Sequence, residues 1–183
     1  MKNPLTMISA LVLLSCTSIL SANDFDDAVN NWDTYQDVGE WLNKNFHFDK
    51  QRQQFIRSRL KTQGPDGLLI RDPQKTFRNS TGYCADSAHF AREAINGIDP
   101  EYNAQWVFIK NDAKGPNHWV TGFYDDDRLY IMDYGTGPKW IAMKGIHGPY
   151  ESLDDYKEFL DSLNLPALDV SKVFWRDMPG QVD

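Results

Sequence analysis

Apolar residues recur at helical spacing between Thr34 and Phe46, where Tyr35, Val38, Trp41, Leu42 and Phe46 fall on one side of a 3.6-residue wheel. With Asp33 or Thr34 available as a cap, this stretch predicts an amphipathic helix facing a core. A second helical run follows Asp49, with Phe55, Ile56 and Leu60 as its apolar stripe and Gly64-Pro65 as its stop. Residues 66–81 are broken by Gly67, Pro73 and polar side chains and read as a loop. From Ala85 the small or apolar positions Ala88, Ala91, Ala94 and Ile95 predict a close-packing helix that stops at Asn96-Gly97.

Beyond Gly97 the pattern changes from helical spacing to short apolar runs. WVFIK (106–110) predicts a strand, and a polar loop runs from Asn111 to Asn117. HWVTGFYDDDRLYIMDYGTG then reads as two strands around an acidic turn, and KWIAM (139–143) as a further strand. Ser152 to Leu163 predicts a helix capped by Ser152, with Asp154 and Asp155 in its first turn, and VFWRD (173–177) a last strand. Helices first and an antiparallel sheet after them give an α+β class. No internal repeat and no long Pro/Gly linker divides the chain, so a single domain is expected.

The first 22 residues stand outside that pattern. MKNPLTMISALVLLSCTSILSA has one Lys, an apolar run from Leu5 to Leu14, and then small and polar residues, the order of an export signal. The run is too short for a lasting bilayer anchor. Cleavage after Ala22 would leave a soluble domain over 23–183. Leu13, Leu14, Ser15 and Cys16 also resemble a lipobox, whose signal would end at residue 15 and leave a lipid on Cys16. Both outcomes imply an exported protein, periplasmic or secreted, with membrane anchoring as the lipoprotein alternative and no transmembrane segment in the mature chain.

Composition narrows the partners. The 183 residues are 41% hydrophobic and 25% charged, enough for one real core, and the formal charge is -7. No cluster of Lys and Arg of the kind that binds a phosphate backbone is present, which argues against nucleic acid as a partner. No Cys-rich or His-x-x-x-His spacing suggests a metal, and the acidic triplet Asp125 to Asp127 lacks the glycine and spacing of a calcium loop. The expectation is therefore a protein without metal or other cofactor.

The chain has two cysteines, and Cys16 lies in the signal, so Cys84 is the one thiol of the mature domain. A lone cysteine is usually a small buried hydrophobe. Cys84, however, stands at the start of a predicted helix, where unpaired N–H groups and the helix dipole favour a thiolate. A thiolate nucleophile needs a histidine held by a third group. His89 is rotated off the cysteine's face of the same helix, and His47 and His147 have no acid placed by local geometry. His118 opens a strand. With Asp125 and Asp126 as a two-residue turn, Gly122 pairs with Leu129, Val120 with Ile131 and His118 with Asp133, on one face of the sheet. A three-residue turn from Asp125 to Asp127 would instead bring Tyr134 opposite His118.

GYCADSAHFAREAI, followed by NHWVTGFYDDDRLYIMDYG and preceded by VGEWLNKNFHFD, resembles the transglutaminase-like branch of the papain-fold superfamily. The resemblance covers Val38 to Gly135. It implies N-terminal helices packed on an antiparallel sheet, with Cys84 as nucleophile, His118 as general base and acid, and Asp133 as orienting acid. It departs from papain-like peptidases at Arg78, which takes the place of their oxyanion-hole Gln, and from the family's usual His motif in that Trp119 follows His118 directly.

The implied chemistry is acyl transfer from a peptide or side-chain amide through a Cys84 thioester, with water or an amine as acceptor. Three readings follow. The first is a thiol hydrolase, peptidase, deamidase or transglutaminase acting on protein or peptide substrates. The second is a hydrolase of peptidoglycan stem peptides, which export would bring within reach. The third is a binding module that keeps the fold without the chemistry.

Overall fold

The computed structural model describes residues 24–183; the predicted export signal and the lipobox cysteine lie outside the described residues. Helices α1 (Asp24–Val29), α2 (Tyr35–Asn45), α3 (Lys50–Gln63), α4 (Pro73–Asn79) and α5 (Cys84–Ile98) precede the main sheet, and α6 (Leu153–Ser162) follows most of it. The sheet is antiparallel, five-stranded and ordered β7-β6-β5-β4-β8, from β4 (Gln105–Asn111), β5 (His118–Asp125), β6 (Arg128–Asp133), β7 (Gly145–Tyr150) and β8 (Val170–Trp175). Two short parallel ladders stand apart from it: β1 (His47–Phe48) pairs with β3 (Thr81–Gly82), and β2 (Leu69–Ile70) with β9 (Gln181–Val182). The class is α+β.

The sheet is buried on both faces because its central strands carry apolar residues on both. Phe123 and Met132 join the α2 and α5 side chains Val38, Leu42, Phe90 and Ile95 in one core. Val120, Leu129 and Ile131, on the opposite face, pack with Tyr156 and Leu160 of α6. Full burial of one such side chain stabilises the fold by roughly 1.5–3 kcal/mol, so each layer contributes well beyond what helix propensity supplies. Thr121, on the α5 face, donates its hydroxyl to the Ala88 carbonyl at 2.7 Å, pinning α5 to β5 in the middle of the molecule.

The helix starts obey their local chemistry. Thr34 caps α2, with the Asp37 carboxylate accepting from the Thr34 N–H. Asp49 caps α3 by accepting from the Arg52 N–H at 2.9 Å. Ser152 caps α6, with Asp155 accepting from its N–H at 3.0 Å.

Several expectations are corrected. Residues 66–81 are not a loop: Pro73 is the first residue of α4, capped by Asp72, because proline at a helix's first position gives up no hydrogen bond. Gly97 does not end α5, which continues to Ile98. KWIAM is not a strand: it lies in short 3₁₀ turns over Pro138–Met143 that kink at Trp140 (φ -117, ψ 27), and Trp140 and Met143 are buried. The stripe of α3 is core only at Ile56; Phe55 and Leu60 are exposed at 54% and 36%.

Candidate active site

Cys84 is the first residue of α5, and the chain arrives there through an extended Tyr83 (φ -122, ψ -171). That geometry is fixed from beneath. Asp86, two residues into the helix and fully buried, accepts from the Tyr83 N–H at 3.0 Å and from the Arg71 N–H at 2.6 Å. Its carboxylate is forked by Arg52, with Nε at 2.7 Å and Nη2 at 3.1 Å. Arg52 reaches onward to the Asp183 carboxylate, with Nη2 donating at 2.8 Å. Burial holds the Asp86 carboxyl above its ordinary value, and Arg52 and the two N–H groups offset only part of that rise. Burial likewise opposes the charge of Arg52, and Asp86 and Asp183 more than offset it. The start of α5 is thus anchored to α3 and to the segment that carries β9.

Two glycines permit the close approach. A Cβ at Gly135 would stand 2.4 Å from the Cys84 Cα, so the β6 exit lies directly on the cysteine backbone. A Cβ at Gly82 would stand 2.7 Å from the Asp86 Cβ. No side chain fits at either position without moving the helix start.

His118 and Asp133 meet in the sheet. His118 Nε2 lies 2.7 Å from Asp133 Oδ2, and both residues are buried. The second Asp133 oxygen accepts from the Gly135 N–H at 3.1 Å, which fixes the carboxylate plane. With Nε2 on Asp133, the other ring nitrogen is left for Cys84, which lies near enough to favour the charged imidazole. Burial opposes protonation of His118, but Asp133 outweighs it, with smaller help from Cys84, and the imidazole pKa is pushed up to about 10.

The register that brings the pair together differs from the expected one. The turn is Asp126-Asp127, both left-handed (φ 49 and 59), and Asp125 pairs with Arg128, Gly122 with Ile131 and Thr121 with Met132. This two-residue turn lies one residue beyond the expected Asp125-Asp126. Every partner therefore shifts by two positions, and continuing the ladder sets Asp133 across from Val120. A shift of two preserves the face, so His118 and Asp133 remain on one side of the sheet and meet diagonally.

The histidines set aside in the sequence, and Arg78, lie outside this arrangement. His89 is buried in α5 with Nδ1 3.6 Å from Glu93, and burial lowers its pKa. His47 is exposed, and His147 Nε2 contacts the Met143 carbonyl at 2.8 Å. Arg78 is exposed in the last turn of α4. Among the described residues no cluster of three His, Cys, Asp or Glu side chains is placed to hold a metal ion.

A cleft of about 400 Å³ opens over Cys84. Leu68, Phe108 and Trp119 form its apolar walls, and Arg57 and Arg176 line it. The sequence reading missed Arg52, Asp86, Asp183 and Gly135. Asp86 alone left a signal, a carboxylate at the third position of a predicted helix.

A thiol at a helix start, followed by an imidazole that a buried carboxylate orients, keeps the chain order of the family motifs. The family model described as a transglutaminase-like domain matches residues 18–143. The chain belongs to that family. A solved structure described as the crystal structure of a TGase is similar at 10% identity and a TM-score of 0.42. That similarity covers 75% of this chain and 42% of the solved one, so this transglutaminase-like chain spans less than half the length of that protein. No curated protein matches it.

Proposed function

We propose that the protein is an exported, thiol-dependent acyl-transfer enzyme that acts on peptide or side-chain amides through a thioester on Cys84. The observation that carries this reading is the buried His118–Asp133 contact of 2.7 Å, near a cysteine that is the first residue of α5. The Cys84 sulfur attacks the amide carbonyl carbon, and its proton, held on His118, passes to the departing amine as the C–N bond breaks. The backbone N–H of Cys84, at the first helical position and without need of an intrahelical partner, supplies a donor to the oxyanion. Water or a second amine then attacks the thioester, gives its proton to His118 and releases the acyl group. Asp133 holds the ring in the tautomer that serves both steps.

Export rests on the N-terminal signal pattern, which also motivates the peptide cross-links of a cell wall as a substrate alternative to proteins. Incubation with candidate peptides, followed by mass spectrometry, separates the products: a gain of about one mass unit on a glutamine side chain for deamidation, a cut backbone for proteolysis, a joined pair for cross-linking. An acyl adduct on Cys84 that disappears in Cys84→Ala is expected. Turnover that survives Cys84→Ala overturns the reading, and a folded protein that never acquires an adduct from any amide donor identifies a binding module.

A further inference from the structure

The cleft over Cys84 has the opposite electrostatic character to the chain that forms it. The protein carries 26 acidic and 19 basic residues, yet the cleft lining contains two arginines and no carboxylate. Arg52, on the same helix as Arg57, is already saturated by Asp86 and Asp183. Arg57 and Arg176 form no ion pair among the described residues.

Arg176 is also held in place. Its guanidinium lies 4.8 Å from the Phe108 ring centroid and 5.8 Å from that of Trp119, and its backbone N–H donates to the Trp106 carbonyl at 3.1 Å. Stacking on an aromatic shelf occupies the flat face of a guanidinium and leaves its N–H edge free, the edge that forks a carboxylate. Arg57 projects from the exposed face of α3 on the wall that also carries Leu60, so the two charges share one cleft with apolar surface.

Resting on the acyl-transfer reading, we infer that the substrate is an anionic peptide, one that sets a carboxylate against Arg57 and Arg176 and an apolar side chain against Leu68, Phe108 and Trp119 while its amide meets Cys84. The carboxylate comes from an acidic side chain or from a peptide chain end; both present the same two oxygens.

Binding to the full chain carrying Cys84→Ala, which cannot turn over, isolates recognition from chemistry. Three rhodamine-labelled probes are compared by fluorescence polarisation: Ala-Leu-Glu-Gly-Ala amide, its neutral counterpart Ala-Leu-Gln-Gly-Ala amide, and that neutral sequence with a free terminal carboxylate. At low salt at least one carboxylate probe binds about tenfold tighter than the neutral amide, and the preference collapses near 0.5 M salt. Whichever carboxylate probe binds identifies the source. Adding Arg57→Gln and Arg176→Gln removes the preference, while Arg176→Lys, which keeps charge but not the fork, retains part of it. Near-UV circular dichroism checks that each variant is folded, and Arg57→Gln alone, on an exposed helix face, keeps the test open if the Arg176 variants are not. Equal affinity for all three probes, no saturable binding of any, or a preference undiminished by loss of Arg57 in a folded protein overturns the inference. Carboxylate preference in a protein that never forms a thioester would leave the cleft assignment standing and remove the proposed chemistry; the converse result would do the reverse.

Discussion

Two buried carboxylates, Asp86 and Asp133, lie on either side of Cys84 and are used in opposite ways. Asp86 accepts from Arg52 twice and from the Arg71 and Tyr83 N–H groups, so its cation is one that never loses a proton and its oxygens are saturated. Asp133 accepts from one backbone N–H, and its cation is an imidazole. The first pair fixes a position and cannot take part in proton transfer. The second orients a group whose proton can move, and it does so next to the thiol. Burial and a short contact alone therefore do not distinguish an anchor from a proton shuttle; the titratability of the partner does.

The largest effect that separates the two pairs is on stability. Replacing Arg52 with Ala leaves a fully buried Asp86 charge with only its backbone donors, and the expected loss is about 3–5 kcal/mol, read from denaturant unfolding. If Asp133→Asn proved equally destabilising, both pairs would be structural anchors and the contrast would fail.

A smaller effect tests geometry between the pairs. Gly135→Ala forces the β6 exit away from the Cys84 backbone. A displacement of about 1 Å lowers the rate of Cys84 acylation by roughly 10²-fold. Peptide affinity stays near that of the parent, so the change falls on kcat rather than KM. An unchanged acylation rate would mean that the helix start tolerates movement.

The smallest effect is a pH dependence. The pKa of His118 is raised by folding to about 10, so its contribution to stability is fully present below the unfolded value of about 6.5 and is lost as pH rises through about 10. The stability difference between the parent and His118→Gln narrows across that window. A gap that widens with rising pH would reverse the assigned sign.

Much of this contrast could be read from the sequence on the His118 side and little on the Asp86 side. A hairpin is local: alternating apolar residues and an acidic turn place His118 and Asp133 on one face, and an error of one position in the turn shifted the register by two and left the face unchanged. Helices α2, α3 and α6 announce themselves through caps within three residues of their starts. The Arg52–Asp86 and Arg52–Asp183 contacts join residues 34 and 131 positions apart, and no periodicity encodes such pairings. Pro73 and Gly97 misled because the same residue types begin or interrupt helices depending on tertiary support. Phe55 and Leu60 misled for a related reason: an apolar stripe on α3 is spent partly beside a cleft rather than wholly in a core.

The Asp126-Asp127 turn also sets a rule for how this protein's lineage can vary in length. Because side chains alternate along a strand, a gain or loss of two residues between His118 and Asp133 keeps the carboxylate on the imidazole's side. A change of one inside either strand sends it to the opposite surface unless a bulge or the turn absorbs the difference. Relatives that retain the chemistry are therefore expected to differ within these strands by even steps, and an odd step that neither a bulge nor the turn absorbs would mark a descendant that has given up the reaction.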